Sequence, residues 1–136
     1  MTVRSRALTH VAMSVPAGTL TDEYRARVLE FYGELLGWRE IEQLRRPDRM
    51  TIAVGRDSYV NLRERADDVA TYRGYDHFGV LVDSEEDLRA MWADLDRKHP
   101  EVDLDEISGT GGTLTFRLRH VLPQAIEVQC FGRRVV

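Results

Sequence analysis

Apolar and polar residues alternate along Leu8-Thr9-His10-Val11-Ala12-Met13-Ser14-Val15, the two-residue period of a strand with one buried face. The alternation returns in Tyr75-Asp76-His77-Phe78-Gly79-Val80-Leu81-Val82, and 77 − 10 sets the two histidines 67 residues apart, about half of the 136-residue chain. After the first strand, Pro16-Ala17-Gly18 breaks the pattern and Thr21-Asp22-Glu23 opens a helix, with acids in the first turn where the dipole favours them. Tyr24, Val28, Phe31 and Leu35 recur at helical spacing, and Gly37 ends the run. Strands are predicted at residues 38–44, 50–54 and 58–63, with turns at Pro47-Asp48 and Gly55-Arg56-Asp57 between them.

The second half repeats this order. Residues 75–82 form a strand, and Ser84-Glu85-Glu86-Asp87 resembles a capping box. Leu88, Met91, Trp92 and Leu95 make one helical face, Pro100 stops the helix, and strands follow at residues 103–107, Thr113–Arg119 and Ala125–Phe131. The fold class is therefore α+β, built from two βαβββ modules at about residues 7–64 and 75–132, with a linker at 65–74. Each module buries only one face of its sheet, so residues 1–136 are expected to form a single domain.

Strand parity then separates a helix-covered face from a polar one. Met50, Ile52 and Val54 lie on the helix side, as do Val60 and Leu62, Leu114, Phe116 and Leu118, and Ile126 and Val128. The opposite face carries Thr51 and Ala53, Tyr59, Asn61 and Arg63, Thr115, Arg117 and Arg119, and Glu127 and Gln129. His10, His77 and Glu127 belong to this polar face. Two imidazoles and a carboxylate suit Fe²⁺, Mn²⁺, Ni²⁺, Co²⁺ or Zn²⁺, and three protein ligands leave positions open for substrate. The competing reading makes them hydrogen-bonded residues of a dry cleft.

Arg117 and Arg119 share the polar face of one strand and are candidates to bind a carboxylate or phosphate. Alternatively, Arg117 pairs with Glu127 or Gln129 and Arg119 reaches water. Arg63 has the same two readings, and Tyr59 either lines the site or packs. His99 is read as surface, and His120 as a surface or structural residue with a base that acts on the site through another residue as the alternative. Trp38 and Trp92 are read as packing residues, and Cys130 as an inert buried hydrophobe.

Composition narrows the class. The chain is 43% hydrophobic and 31% charged, the profile of a folded globular protein. A formal net charge of −4 argues against nucleic acid as a partner, which would require clustered positive charge. The pairs Arg45-Arg46 and Arg133-Arg134 read as solvated surface. No run approaches the ~20 apolar residues of a membrane helix, so no membrane partner is expected. Residues 1–6 have no signal-peptide core behind them, and the single Cys130 cannot form an internal disulfide. These features lead to an expected cytoplasmic location.

With His10, the segment Phe31-Tyr32-Gly33-Glu34-Leu35-Leu36-Gly37-Trp38, His77 and Ile126-Glu127-Val128 in this order, residues 8–131 resemble the vicinal oxygen chelate superfamily. That superfamily includes glyoxalase I, extradiol dioxygenases, fosfomycin-resistance enzymes, methylmalonyl-CoA epimerases and bleomycin-binding proteins. The resemblance implies two modules whose sheets form a curved mixed sheet around a cavity, commonly completed by dimerisation. It implies metal ligands from the first and fourth strands of each module, here His10 with Asn61 and His77 with Glu127. Asn61 departs from the glutamate or glutamine of glyoxalase I, which leaves His10, His77 and Glu127 as the metal set and Asn61 as a substrate-side residue. Val121-Leu122-Pro123-Gln124 replaces the common Asp-Pro-Asp-Gly turn. Ala12 replaces the hydroxyl residue of fosfomycin-type enzymes, which argues against that chemistry.

The expected function is that of a metal-dependent small-molecule enzyme, dioxygenase-like or of the glyoxalase lyase/isomerase kind. Glu127 is its metal-binding and catalytic carboxylate, and Arg117, Asn61 and Tyr59 face an anionic or oxygen-rich substrate. The alternative is a metal-free drug-binding protein of the bleomycin-resistance kind. A homodimer is expected in either case, since association covers exposed sheet edges.

Overall fold

The computed structural model describes residues 7–67, 75–110 and 112–132. The chain divides into two compact units, Met1–Ala70 and Thr71–Val136, close to the halves expected from the repeat. Most of the expected linker, residues 1–6 and the Arg133-Arg134 pair lie outside the described residues.

The first unit contains β1 (His10–Pro16), α1 (Asp22–Leu36), β2 (Arg39–Glu40), β3 (Arg49–Ala53) and β4 (Tyr59–Arg65). Its four strands form a mixed sheet in the order β1-β4-β3-β2, with β1 parallel to β4 and the other pairs antiparallel. Parallel neighbours need a crossover, and α1 lies within it. Thr21 Oγ1 accepts the Tyr24 N–H at 3.1 Å to start the helix. Gly37 closes it at φ 72°, where its N–H reaches the Gly33 carbonyl at 3.0 Å, a left-handed position that costs glycine nothing.

The buried face of α1 is Arg25, Val28, Phe31 and Tyr32, rotated from the expected stripe of Tyr24, Val28, Phe31 and Leu35. Arg25 causes the rotation. Its Nε donates to the Leu20 carbonyl (3.1 Å), Nη1 to Glu40 Oε1 (2.9 Å), and Nη2 to the carbonyls of Arg46 (2.6 Å) and Arg49 (3.1 Å). Every N–H group of that guanidinium that reaches an acceptor does so inside the fold, so a charged residue takes a core position. Tyr32 follows on the same face and stacks on Trp38 with ring centroids 5.1 Å apart. The same contacts shorten the strand expected at residues 38–44. After Ile41 N–H donates to Thr51 O at 2.8 Å, the chain turns through a 3₁₀ segment, Glu42–Leu44, towards the carbonyls that Arg25 holds.

The second unit contains β5 (His77–Leu81), α2 (Glu85–Lys98), β6 (Asp103–Leu104), β7 (Ser108–Thr110), β8 (Thr113–Arg119) and β9 (Ala125–Phe131). Its strands run β5-β9-β8-β6, with β7 also on β8, and β5 is parallel to β9 as β1 is to β4. Ser84 caps α2 as the sequence predicts, accepting Asp87 N–H at 3.0 Å. Leu88 and Leu95 are fully buried beneath it. The strand expected at residues 103–107 shortens to β6, ending before Asp105, and β7 at Ser108–Thr110 is a further strand that the sequence does not predict. The Asp105 carbonyl accepts Trp92 Nε1–H at 2.9 Å, and its carboxylate holds Arg119 at 3.0 and 3.2 Å. Val121, between β8 and β9, has φ 65°, a left-handed conformation that is strained for a β-branched side chain.

Parity holds in both sheets. Met13, Val15, Met50, Ile52, Val60 and Leu62 are buried in the first unit, and Phe116, Leu118, Ile126, Val128 and Cys130 in the second. Each contributes roughly 1.5–3 kcal/mol by leaving water. The opposite faces are free to carry polar groups. Among the described residues no helix is long and apolar enough to cross a membrane.

Candidate functional site

The two sheets place their polar residues in the same register. In the first unit, His10 pairs with Tyr59 and Ala12 with Asn61 across β1 and β4, while Thr51 pairs with Asn61 across β3 and β4. In the second, His77 pairs with Ala125 and Gly79 with Glu127 across β5 and β9, while Arg117 pairs with Glu127 across β8 and β9. Asn61 and Glu127 are thus equivalent positions, as are Thr51 and Arg117, and Ala12 and Gly79.

Glu127 is the centre of the polar cluster in the second unit. It is only 7% exposed, and a buried carboxylate must be hydrogen-bonded to be tolerated. Its Oε2 lies 2.8 Å from His77 Nε2 and accepts Arg117 Nε–H at 3.0 Å, while Oε1 accepts Gln129 Nε2–H at 3.0 Å. His77 Nδ1 contacts the Tyr75 carbonyl. A carbonyl only accepts, so the proton on that ring edge belongs to Nδ1, and Nε2 faces the carboxylate with its lone pair or with a second proton. The two atoms are at hydrogen-bond distance, and a metal ion with bonds of ~2.0–2.2 Å to both would lie off the line that joins them. Backbone orientation of the far ring nitrogen is also the arrangement that fixes metal-binding histidines.

Arg117 is fixed on two sides. Its Nε is tied to Glu127, and its guanidinium carbon sits 4.8 Å from the centre of the Tyr75 ring, a cation–π contact. Neither of its Nη groups donates to a described residue, so that edge remains available to an anion. The pairing read as an alternative from the sequence and the anion-binding reading therefore coexist in one side chain. Arg119 differs: its guanidinium is committed to Asp105, with Asp103 at 3.5 Å.

The polar cluster in the first unit is more open. His10 is exposed, stacked on Tyr59 with centroids 4.7 Å apart and planes 3° from parallel. Its Nδ1 lies 2.8 Å from Thr9 Oγ1, and among the described residues Nε2 has no hydrogen-bond partner. Tyr59 thus serves as a platform that orients the imidazole. Asn61 accepts a long hydrogen bond from Thr51 Oγ1–H at 3.4 Å.

Tyr75 and Gly79 are site residues that the sequence reading does not contain. The alternation counts Tyr75 as a residue of the strand expected at 75–82, whereas the structure starts β5 at His77 and leaves Tyr75 just before it. A Cβ at Gly79 would come within 3.1 Å of Gln129 Oε1, so the missing side chain leaves room for the amide that holds Glu127. Within either unit, among the described residues, no group of three or more His, Cys, Asp or Glu side chains gathers as a complete metal site. A cavity of about 500 Å³ is lined by Asp83, Ser84, Leu114, Cys130 and Phe131, and one of about 290 Å³ by Leu20, Asp22, Arg25 and Arg45. Neither is lined by His10, His77 or Glu127.

Comparison with known proteins agrees with this architecture. The family model described as Glyoxalase/Bleomycin resistance protein/Dioxygenase superfamily matches residues 8–120. Among solved structures, lactoylglutathione lyase from Agrobacterium tumefaciens is similar over 93% of this chain and 94% of its own, with TM-score 0.65 and 17% identity. The fosfomycin resistance protein FosX from Listeria monocytogenes is similar over 93% of this chain and 94% of its own, with TM-score 0.66 and 14% identity. A glyoxalase/bleomycin resistance protein/dioxygenase from Nocardioides is similar over 99% of this chain and 91% of its own, with TM-score 0.66 and 13% identity. At these identities the likeness is one of fold. No curated protein matches the sequence.

Proposed function

Because the chain belongs to the glyoxalase/bleomycin resistance protein/dioxygenase superfamily, we propose that it is a divalent-metal-dependent enzyme acting on a small, oxygen-rich, anionic substrate. The observation that carries this reading is the His77–Glu127 pair, with Nδ1 turned to the Tyr75 carbonyl and Nε2 at 2.8 Å from a buried carboxylate oxygen. Nitrogen and carboxylate oxygen donors of this kind suit a borderline divalent ion, so the donor set fits the group. His77 and Glu127 are the proposed ligands, with His10 as the third. When bound, such an ion supplies Lewis-acid polarisation of adjacent substrate oxygens.

The chain's own residues perform the rest. Gln129 and Arg117 hold both oxygens of Glu127, so the carboxylate stays in one orientation, from which it can also take a proton from a bound substrate. The free Nη edge of Arg117 receives a substrate carboxylate or enolic oxygen through charge-assisted hydrogen bonds. Tyr59 and Asn61 line the polar cluster in the first unit. In reaction class the fit is to dioxygenase-like or lyase/isomerase chemistry. The active form is proposed to be a homodimer located in the cytoplasm, with both modules forming one domain.

One observation favours a second reading. Glu127 already has three protein partners, so the cluster is electrostatically satisfied as an ion-pair network without metal. That suits a metal-free ligand-binding protein, similar to the bleomycin-resistance members of the family. Elemental analysis of protein purified without chelators or a metal-affinity step separates the two. The enzyme reading expects about one divalent ion per chain, lost in His77→Ala. Metal-free protein that takes up no added divalent ion would establish the binding-protein reading instead.

A further inference from the structure

The polar face of the first unit carries a second row of donors, two residues along the strands from Asn61. Arg49 on β3 stands directly opposite Arg63 on β4, and Arg63 is paired on its other side with Ser14 on β1. Three donor side chains from three adjacent strands therefore share one line on one face. The next row adds Thr51 and Asn61, and neither row contains a carboxylate.

Like charges directly opposite each other in an antiparallel pair destabilise the sheet. Among the described residues nothing offsets them. Arg49 Nε is buried and has no hydrogen-bond partner, and among the described residues neither arginine forms an ion pair. A buried guanidinium N–H without an acceptor carries its whole desolvation cost. Arg25 shows the contrast within the same unit, since it is more deeply buried as a residue and its Nε, Nη1 and Nη2 all reach acceptors. The acids adjacent in sequence do not serve. Glu64 points from the opposite parity of β4, where its Oε1 accepts Leu20 N–H at 2.8 Å, and Asp48 is exposed in the turn before β3.

We infer that Arg49, Arg63 and Ser14 form an oxyanion-binding site on the polar face of the first sheet, taking a phosphate or a carboxylate group. A bound oxyanion would accept from the buried Arg49 Nε and from the Arg63 fork, removing both the unsatisfied donor and the repulsion. The hydroxyl of Ser14 supplies a neutral donor at the far end of the row. At ~3.3 Å of rise per residue, the four positions from Tyr59 to Arg63 set this row ~13 Å from the His10–Tyr59 row. It is therefore a contact separate from the metal-binding histidine, and it rests on the first unit alone rather than on the metal reading.

The test uses the full chain and two probes, inorganic phosphate and malonate, titrated at constant ionic strength against chloride. Binding is followed by calorimetry and by the Arg Nε–Hε resonances in proton–nitrogen NMR spectra. At least one probe is expected to bind saturably and to shift the Arg49 Nε–Hε resonance, with affinity falling about tenfold or more in Arg63→Gln. Arg49→Met should abolish the response, and Arg63 is exposed, so its variant keeps the test decisive if Arg49→Met does not fold. Phosphate binding without malonate binding assigns a phosphoryl group, and the reverse assigns a carboxylate. No saturable binding of either probe to the wild-type chain, or binding unchanged in Arg63→Gln, overturns the site. Adding a chelator leaves these expectations unaltered, so failure here is distinct from failure to bind metal.

Discussion

Asn61 and Glu127 occupy the same position in two equivalent sheets, each two residues along its strand from the partner of a histidine. One of these positions carries a carboxylate and the other a neutral amide. Their surroundings have diverged accordingly: Asn61 faces the small hydroxyl of Thr51, whereas Glu127 faces the guanidinium of Arg117. The cluster in the second unit is built around a charge, and the one in the first is not.

Metal affinity should follow that asymmetry. Glu127→Gln and His77→Ala are expected to weaken divalent-ion binding by ~100-fold or more, beyond the ~10–100-fold typical of outer-sphere partners. Asn61→Ala should leave it within about threefold. Calorimetric titration of metal-stripped protein with Zn²⁺ or Mn²⁺ measures all three. Loss of binding in Asn61→Ala equal to that in Glu127→Gln would make the amide a ligand.

Arg117 should act on cations and anions in opposite directions. Its charge, 3.0 Å from Glu127, opposes a divalent ion at the same carboxylate and attracts an anion at its free edge. Arg117→Gln is expected to weaken a carboxylate-bearing ligand by ~1–3 kcal/mol while metal affinity stays level or rises. A parallel loss of both would mean that Arg117 serves chiefly to position Glu127.

The buried Arg25–Glu40 pair is a stability element. Removing Arg25 leaves the enclosed Glu40 carboxylate with only its 3.5 Å contact to Arg45, so Arg25→Ala should cost ~3 kcal/mol. The urea midpoint should fall with little change in the ligand affinity of the second unit. A cost below ~1 kcal/mol would show that water replaces the guanidinium.

Alkaline stability should depend on Tyr32. Burial raises its phenol pKa well above the ordinary 10.0, because the phenolate would be enclosed without solvent. The proton is held in both states below pH ~10, so the contribution to stability is complete there. Above that value the unfolded chain loses the proton while the folded chain keeps it, so stability falls as pH rises. Urea midpoints between pH 8 and 11 should decline less steeply in Tyr32→Phe than in wild type.

Val121 is strained at φ 65° just ahead of β9. Asparagine adopts this region readily, so Val121→Asn should stabilise the fold by ~0.5–1 kcal/mol. Thermal unfolding checks it, and a lower melting temperature would show that the valine side chain contributes more by packing than its backbone costs.

Much of this architecture is legible from the chain alone. A strand with one covered face must alternate, and Met13, Val15, Phe116 and Ile126 are buried where alternation puts them. That parity alone assigns His10, Asn61, His77, Arg117 and Glu127 to the polar faces, and the Ser84 cap and Gly37 stop follow from local chemistry. Tertiary structure decided what depends on partners distant in sequence. Arg25 entered the core because Glu40 and the carbonyls of Arg46 and Arg49 close around it, which no hydrophobic pattern encodes. Register decided that Arg117 stands opposite Glu127, and that Arg49 stands opposite Arg63 with nothing among the described residues to neutralise it. Periodicity is a property of each segment by itself, whereas satisfying a buried donor or charge is a property of whatever the fold brings beside it.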